Sequence, residues 1–185
     1  MRVLPAGLTY VGPFRLRPWR VAEHWAGMTK TASRAALLHV AMQDLHAGKR
    51  AQADRLLAIR DAATDPALRA LLEAEVGRAG AQAARLAAVG GDMAGPGNLW
   101  VGGILDDADR DARSHQPGPV LDVALTGAVR KAKAAEIVSS ETAIALARAE
   151  RLDAVAAAVE ANRAEEVEAD RALRERLGVL TGAAT

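Results

Sequence analysis

The sequence contains no cysteine, so disulfide bonds, thiolate metal sites and a cysteine nucleophile are excluded. Aromatic residues make up only 3 % of the 185 residues, too few to fill the core of a large β-sandwich. No apolar run reaches the roughly 18 residues that a membrane-spanning helix requires. An excess of one charge is also lacking, because 24 basic residues face 23 acidic ones, and this balance argues against a nucleic-acid-binding surface.

Several catalytic motifs are missing as well. The sequence has no Gly-x-Gly-x-x-Gly after a predicted strand and no Gly-Lys-Ser/Thr phosphate loop. Its serines lack the context of a nucleophile elbow. Glu-x-x-His, which two helices of a di-iron bundle each supply, does not occur, although His39, His46 and His115 are present. These absences argue against nucleotide-binding and serine-hydrolase classes and against an ordinary di-iron centre.

What the sequence has in abundance is alanine, with 44 residues. Alanine is the best helix former but fills little volume, so a core rich in it needs helices that approach one another closely. Apolar residues recur at spacings of three and four along four long segments, which is the pattern of amphipathic helices. The sequence therefore predicts an all-α protein with four long helices.

The first predicted helix follows an N-cap at Thr31 or Ser33 and ends near Ala63. Asp65 is then a natural N-cap and Pro66 a natural first residue for a second helix that ends at residues 90–91, both glycines. Because the intervening turn is so short, these two helices form an antiparallel hairpin. The third predicted helix covers about residues 120–151 and the fourth about 154–177.

Residues 90–119 are rich in glycine and proline and contain one short predicted helix, from Asn98 to about Arg113. A long connection of this kind between two helical hairpins is typical of the crossover in ferritin-like bundles. We therefore predict a ferritin-like antiparallel four-helix bundle over residues 31–180, with a long crossover carrying a short extra helix and a disordered tail at 181–185.

Residues 1–30 are predicted to be a poorly ordered N-terminal extension. Residues 1–27 show no helical period and contain Pro5, Pro13 and Pro18, so we expect them to pack little on the bundle. Three interpretations remain open for this segment: an upstream extension or mis-called start, a disordered or docking arm, and a targeting peptide.

Polar residues interrupt the apolar stripes near their middles. On the fourth helix, Asn162, Glu166 and Asp170 are four residues apart on one face. The third helix carries Lys133, Glu136 and Ser140 among its apolar residues, and the first two helices offer further polar residues near their stripes: His46, Gly48, Lys49, Gln52, Glu75 and Gln82. Buried carboxylates need a partner. A solvated face, an internal ion-pair network and a metal site are the three possible explanations.

Several segments resemble one family. Residues 44–50 resemble the first-helix pattern DLYSAEKQL of YciF-like ferritin-like proteins, residues 64–68 match their inter-helix turn, and residues 82–86 are similar to their QVERLE. Residues 135–137 resemble the third-helix YEIAAY, and residues 165–170 the fourth-helix EEKxAD. The resemblance covers roughly residues 35–178. It implies a ferritin-like fold, a frequent dinuclear metal site, a link to bacterial stress responses and an unknown activity.

The resemblance also implies that much of the metal site has decayed. The first-helix Glu of the family is Gly48 here, the acidic cluster before Gln82 is replaced by residues 77–80, and the first Glu of helix three is Lys133. Glu136, Glu166, Asp170 and Gln82 remain as a degenerate metal site. Lys133 is expected to approach these carboxylates and to replace the metal as a cation.

We therefore interpret the chain as a non-catalytic ferritin-like bundle with a stress-associated structural or partner-binding role. The alternatives are a residual iron or manganese oxidase or storage protein and a phasin-like granule-surface protein. We expect no cofactor, with iron or manganese as the possible metals. Self-association through helix faces, such as a homodimer, and a cytoplasmic bacterial location are also expected, without a nucleic-acid partner; the sequence identifies no small-molecule substrate.

Overall fold

The computed structural model describes residues 31–182, which form five helices and no strand. The predicted N-terminal extension and residues 183–185 of the predicted tail lie outside the described residues. The helices, in chain order, are α1 (Arg34–Ala62), α2 (Pro66–Gly90), α3 (Leu99–Ser114), α4 (Pro119–Ala149) and α5 (Asp153–Thr181). The predicted all-α bundle with an extra crossover helix is confirmed.

The four long helices form two hairpins that lie side by side. Helix α1 packs along α2, and α4 packs along α5; α1 is also next to α4, and α2 is next to α5. The crossover helix α3 lies against α1 and α4, so it covers one face of the bundle. The opposite face, formed by α2 and α5, has no such cover from the described residues.

Side chains fix the helix starts where the sequence predicted them. Ser33 accepts a hydrogen bond from the Ala36 amide, Asp65 from the Leu68 amide, and Asn98 from the Val101 amide. Each of these bonds satisfies an amide that has no partner within its own helix. Helix α5 continues to Thr181, beyond the predicted end near Leu177, and ends at Gly182, whose φ of 67° suits a glycine C-cap.

Two apolar clusters occupy the two ends of the bundle. One cluster lies where the second half of α1, the start of α2, the start of α4 and the end of α5 meet the crossover helix α3. It includes Leu56, Leu72, Leu105, Leu125 and Leu173. The other joins the opposite ends of the four long helices and includes Met42, Leu86, Ile144 and Val159. The polar interruptions in the stripes lie between these clusters, in the middle of the bundle.

Asp122 ties the α1–α2 turn to the first turn of α4. Its side chain is buried and accepts hydrogen bonds from the Thr64 amide at 2.7 Å, the Thr64 hydroxyl at 2.6 Å and the Asp65 amide at 3.1 Å. The turn residues are therefore satisfied by a carboxylate 57–58 positions away. The sequence does not predict this contact, because nothing in the local pattern around Asp122 indicates a distant turn.

We predict that Asp122→Ala lowers the free energy of unfolding by about 1–3 kcal/mol, since three part-buried hydrogen bonds to the α1–α2 turn are lost. Asp54→Ala, at an exposed position of α1, is the control and should change stability by less than about 0.5 kcal/mol. Chemical denaturation of both variants measures the difference. Equal losses would contradict the role assigned to Asp122.

Candidate functional site

The polar residues in the middle of the bundle form one buried layer to which all four long helices contribute. Each of them is at most 3 % exposed. The helical period explains their meeting, since residues three and four apart share the inward face of each helix. The layer consists of Lys49 and Gln52 on α1, Glu75 and Gln82 on α2, Lys133 and Glu136 on α4, and Asn162 and Glu166 on α5.

Lys133 lies between two carboxylates. Its Nζ is 2.5 Å from Glu75 Oε2 and 2.9 Å from Glu166 Oε2, and it donates a hydrogen bond of 3.2 Å to Gln52 Oε1. The expected approach of Lys133 to Glu166 is therefore present. It links α4 to the three other long helices.

Lys49 takes the corresponding position on the other side of Glu166. Its Nζ is 2.7 Å from Glu166 Oε1 and donates a hydrogen bond to Glu136 Oε2. Glu166 is thus shared, with one oxygen facing each lysine. The result is a continuous chain of side chains in the order Glu75, Lys133, Glu166, Lys49 and Glu136.

Arg78 completes this chain at the protein surface. Its guanidinium pairs with Glu75 Oε1, one turn before it on α2, and its side chain is 30 % exposed. Three cations and three carboxylates therefore alternate from the α2–α5 surface to the interior, and their formal charges cancel. Of the three explanations of the polar stripe, the solvated face is excluded because Glu166 is only 1 % exposed, and the side chains form an internal ion-pair network.

The two inner glutamates have opposite pKa shifts. Burial by itself would raise the pKa of Glu166, but the attraction of Lys133 and Lys49 outweighs burial and lowers that pKa to about 2. For Glu136, burial raises the pKa, Lys49 offsets this only in part, and repulsion from Glu166 adds to it. Glu166 is therefore the firmly ionised centre of the network, and Glu136 is the carboxylate that takes up a proton more readily.

Asp170 does not belong to the network, so the predicted contact with Lys133 is wrong. It pairs instead with Arg130 at 2.8 Å and with Arg174 at 2.9 Å, near the surface. Four residues make slightly more than one turn, so each step of four rotates the side chain by about 40°. Across the two steps from Asn162, this rotation carries Asp170 out of the central layer and toward Arg130.

Gln82 lies beside the network but outside its ion pairs. Its Nε2 donates to the Asn162 carbonyl and, at 2.9 Å, to Glu165, while Asn162 donates back to the Gln82 carbonyl. Gln82 therefore links α2 to α5 next to the charges. Of the predicted site residues, the structure brings together Glu136, Glu166 and Lys133, and it places Gln82 adjacent to them.

Lys49 and Glu75 are the site residues to which sequence analysis assigned no role. Along α1, positions separated by alternating steps of four and three residues from Leu38 to Ile59 share the inward face, and position 49 is one of them. The same steps along α2, from Leu68 to Leu86, include position 75. The predicted stripes followed apolar residues and passed over these positions.

Two further properties bear on what the layer can bind. Within residues 31–182, no three side chains of His, Cys, Asp or Glu are grouped so as to hold a metal ion. In the same part of the chain, no helix is both long and apolar enough to cross a membrane.

The geometry defines an all-α ferritin-like bundle with a charged layer at its centre, and comparison with known proteins gives its family. Residues 33–184 match the family described as Domain of unknown function (DUF892), and the chain belongs to that family. It is a YciF-like family member, as the resemblance of its motifs implied. No curated protein matches the sequence.

Two solved structures are similar to this fold. The stress protein YciF from Escherichia coli matches with a TM-score of 0.79 and 18 % identity, covering 83 % of this chain and 100 % of that one. YcfI from Rhodopseudomonas palustris matches with a TM-score of 0.74 and 23 % identity, covering 77 % of this chain and 94 % of that one. At these identities the likeness shows the fold alone.

We predict that Lys133→Met lowers the free energy of unfolding by about 3–5 kcal/mol, because it leaves Glu75 and Glu166 short of a buried cation. Methionine keeps most of the length of the lysine stem, so lost packing contributes little. Lys131→Met is the matched control, since that side chain is 62 % exposed two residues earlier on the same helix. Urea titration of both variants checks the prediction, and a similar small loss in each would argue against a stabilising role for Lys133.

Proposed function

We propose that this chain is a non-catalytic ferritin-like bundle with a structural or partner-binding role, whose former di-metal site is held together by lysine ammonium groups. The observation that carries the proposal is the position of Lys49 and Lys133, each within contact distance of two buried glutamates. In a di-metal carboxylate bundle, the carboxylates of the four helices converge on metal ions instead.

The donor set fits a pair of divalent metal ions poorly. A protonated lysine has three donors and no acceptor, so it cannot be a ligand and repels a nearby cation. Both oxygens of Glu166 already face an ammonium group at 2.7 and 2.9 Å. Gly48 supplies no ligand, and no histidine of the described residues lies in the layer. Iron or manganese would have to displace two buried lysines before it could reach these carboxylates.

A role in a stress response is the second part of the proposal. Its support is the fold that this chain shares with the E. coli stress protein YciF over 83 % of its length. A bundle whose centre is closed by ion pairs has no site for substrate chemistry in that layer. A structural or binding role in stressed cells therefore suits the chain better than oxidation or storage of iron.

Self-association is the third part, and the outer face of α2 supports it. Seven exposed positions with alternating three- and four-residue spacing carry only alanine or glycine: Ala67, Ala70, Ala74, Gly77, Ala81, Ala84 and Ala88. This α2 seam has the spacing of a coiled-coil seam. Because its side chains are small, a helix of a second copy could approach to about 8 Å.

The metal proposal is tested by loading the purified protein with Fe²⁺ or Mn²⁺ without oxygen, removing free metal and measuring bound metal by mass spectrometry. We expect far less than one ion per chain for the natural sequence. Lys133→Glu removes one ammonium and adds a fourth carboxylate, so it should bind more metal and should be stabilised by it. Lys131→Glu, at the exposed position, is the control. Two ions per chain in the natural protein would sink the proposal.

The self-association proposal predicts that the protein is dimeric and that Gly77→Arg makes it monomeric, because a long charged side chain separates helices at the centre of the α2 seam. Ala134→Arg, at an exposed position of α4, should leave the dimer unchanged. Sedimentation equilibrium over a range of concentrations distinguishes these outcomes. A natural protein that stays monomeric throughout, or equal dissociation by both substitutions, would show that the α2 seam is not the interface.

A further inference from the structure

One carboxylate oxygen of the charged layer faces no cation and accepts no hydrogen bond. Glu136 Oε2 accepts from Lys49, but Glu136 Oε1 has no hydrogen-bonding partner, and the residue is completely buried. Both oxygens of Glu166, by contrast, form an ion pair with a lysine. A buried acceptor without a partner is costly, and in native proteins a bound water commonly satisfies it.

Gly48 of α1 lies beside this oxygen. A side-chain carbon at Gly48 would lie 3.3 Å from Glu136 Oε1, 3.3 Å from Asn98 Nδ2 and 3.2 Å from Val101 Cγ2. An acceptor on α4 and a donor at the N-cap of α3 are thus close to the same point, and the Val101 methyl group lies on its third side. Neither polar group reaches the other directly, since no hydrogen bond joins them.

The donor at this point has a hydrogen to spare. Asn98 is 6 % exposed; its Oδ1 caps α3, and its Nδ2 donates one hydrogen bond, of 2.8 Å, to the Asp44 carbonyl. An amide nitrogen carries two hydrogens.

We propose that a water molecule is bound inside the bundle beside Gly48, where it donates to Glu136 Oε1 and accepts from Asn98 Nδ2. Two partners lie within the range of about two to four that buried waters have. The water connects α4 to the N-cap of α3, so it joins the crossover helix to the charged layer. A residue larger than glycine at position 48 occupies part of this site.

The test compares alanine and serine at position 48. Both add the same Cβ, but only the serine hydroxyl can replace the water by donating to Glu136 and accepting from Asn98. Alanine is the better helix former, so without a water site it would give the higher melting temperature. We expect the reverse order, with Gly48→Ser melting above Gly48→Ala.

Gly127 is the matched control, since it lies inside α4 and a Cβ there would meet no atom within 4 Å. At this position, Gly127→Ala should melt above Gly127→Ser. If the alanine variant melts above the serine variant by the same margin at both positions, the water site is refuted.

A high-resolution crystal structure of the unmodified protein tests the proposal even if neither variant at position 48 folds. Electron density for a water within about 2.7–3.2 Å of both Glu136 Oε1 and Asn98 Nδ2 would support it. Well-ordered side chains around Gly48 with no such density would overturn it.

Discussion

Two lysine side chains buried among three glutamates are the constraint on which the rest of this bundle depends. Removing two cations and three anions from water costs several kcal/mol for each ion, and only close, mutual pairing returns that energy. Lys49, Lys133, Glu75, Glu136 and Glu166 come from four helices, so the pairing requires all four to be in register at once. Any arrangement that shifts one helix by a turn leaves a charge buried without a partner.

This requirement matters because the apolar parts of the core are permissive. Much of the chain's apolar surface is alanine, whose small side chain packs acceptably in several relative positions of two helices. The clusters at the two ends of the bundle therefore supply most of the driving force for burial but fix the helix positions less sharply. A buried polar layer can instead select one register among alternatives of similar stability. Here the layer lies between the two clusters, where it fixes the positions of both.

The fold could be predicted from the sequence because its determinants are local. Asp65 as N-cap and Pro66 as first helical residue are a local signal for a helix start, and the step pattern of apolar residues indicates which face is buried. Helix boundaries accordingly agree within a few residues, with the largest difference at the end of α5.

The candidate site was predicted only in part, because its members are defined by partners distant in the chain. Lys133, Glu136 and Glu166 were identified, since each interrupts an apolar stripe. Lys49 and Glu75 occupy equivalent positions, but a charged residue next to a stripe on an alanine-rich helix is equally compatible with solvent. Asp170 shows the opposite error: its spacing of four from Glu166 suggested a shared face, yet Arg130 of α4 was available outside the layer. When two cations are near a carboxylate, the packing of whole helices determines which of them forms the ion pair.

The balance of formal charges in this layer is comparable to that in the metal sites of ferritin-like bundles. Such a site places four carboxylates around two divalent ions, so its formal charges cancel. In this chain, three carboxylates meet Lys49, Lys133 and Arg78, and the charges cancel again without metal. The resemblance implies glutamate at positions 48 and 133, where this chain carries a glycine and a lysine. A glutamate at either position would add negative charge to this balanced interior. The centre of the bundle is therefore electroneutral because its own side chains balance, and the same ion pairs hold the four long helices together.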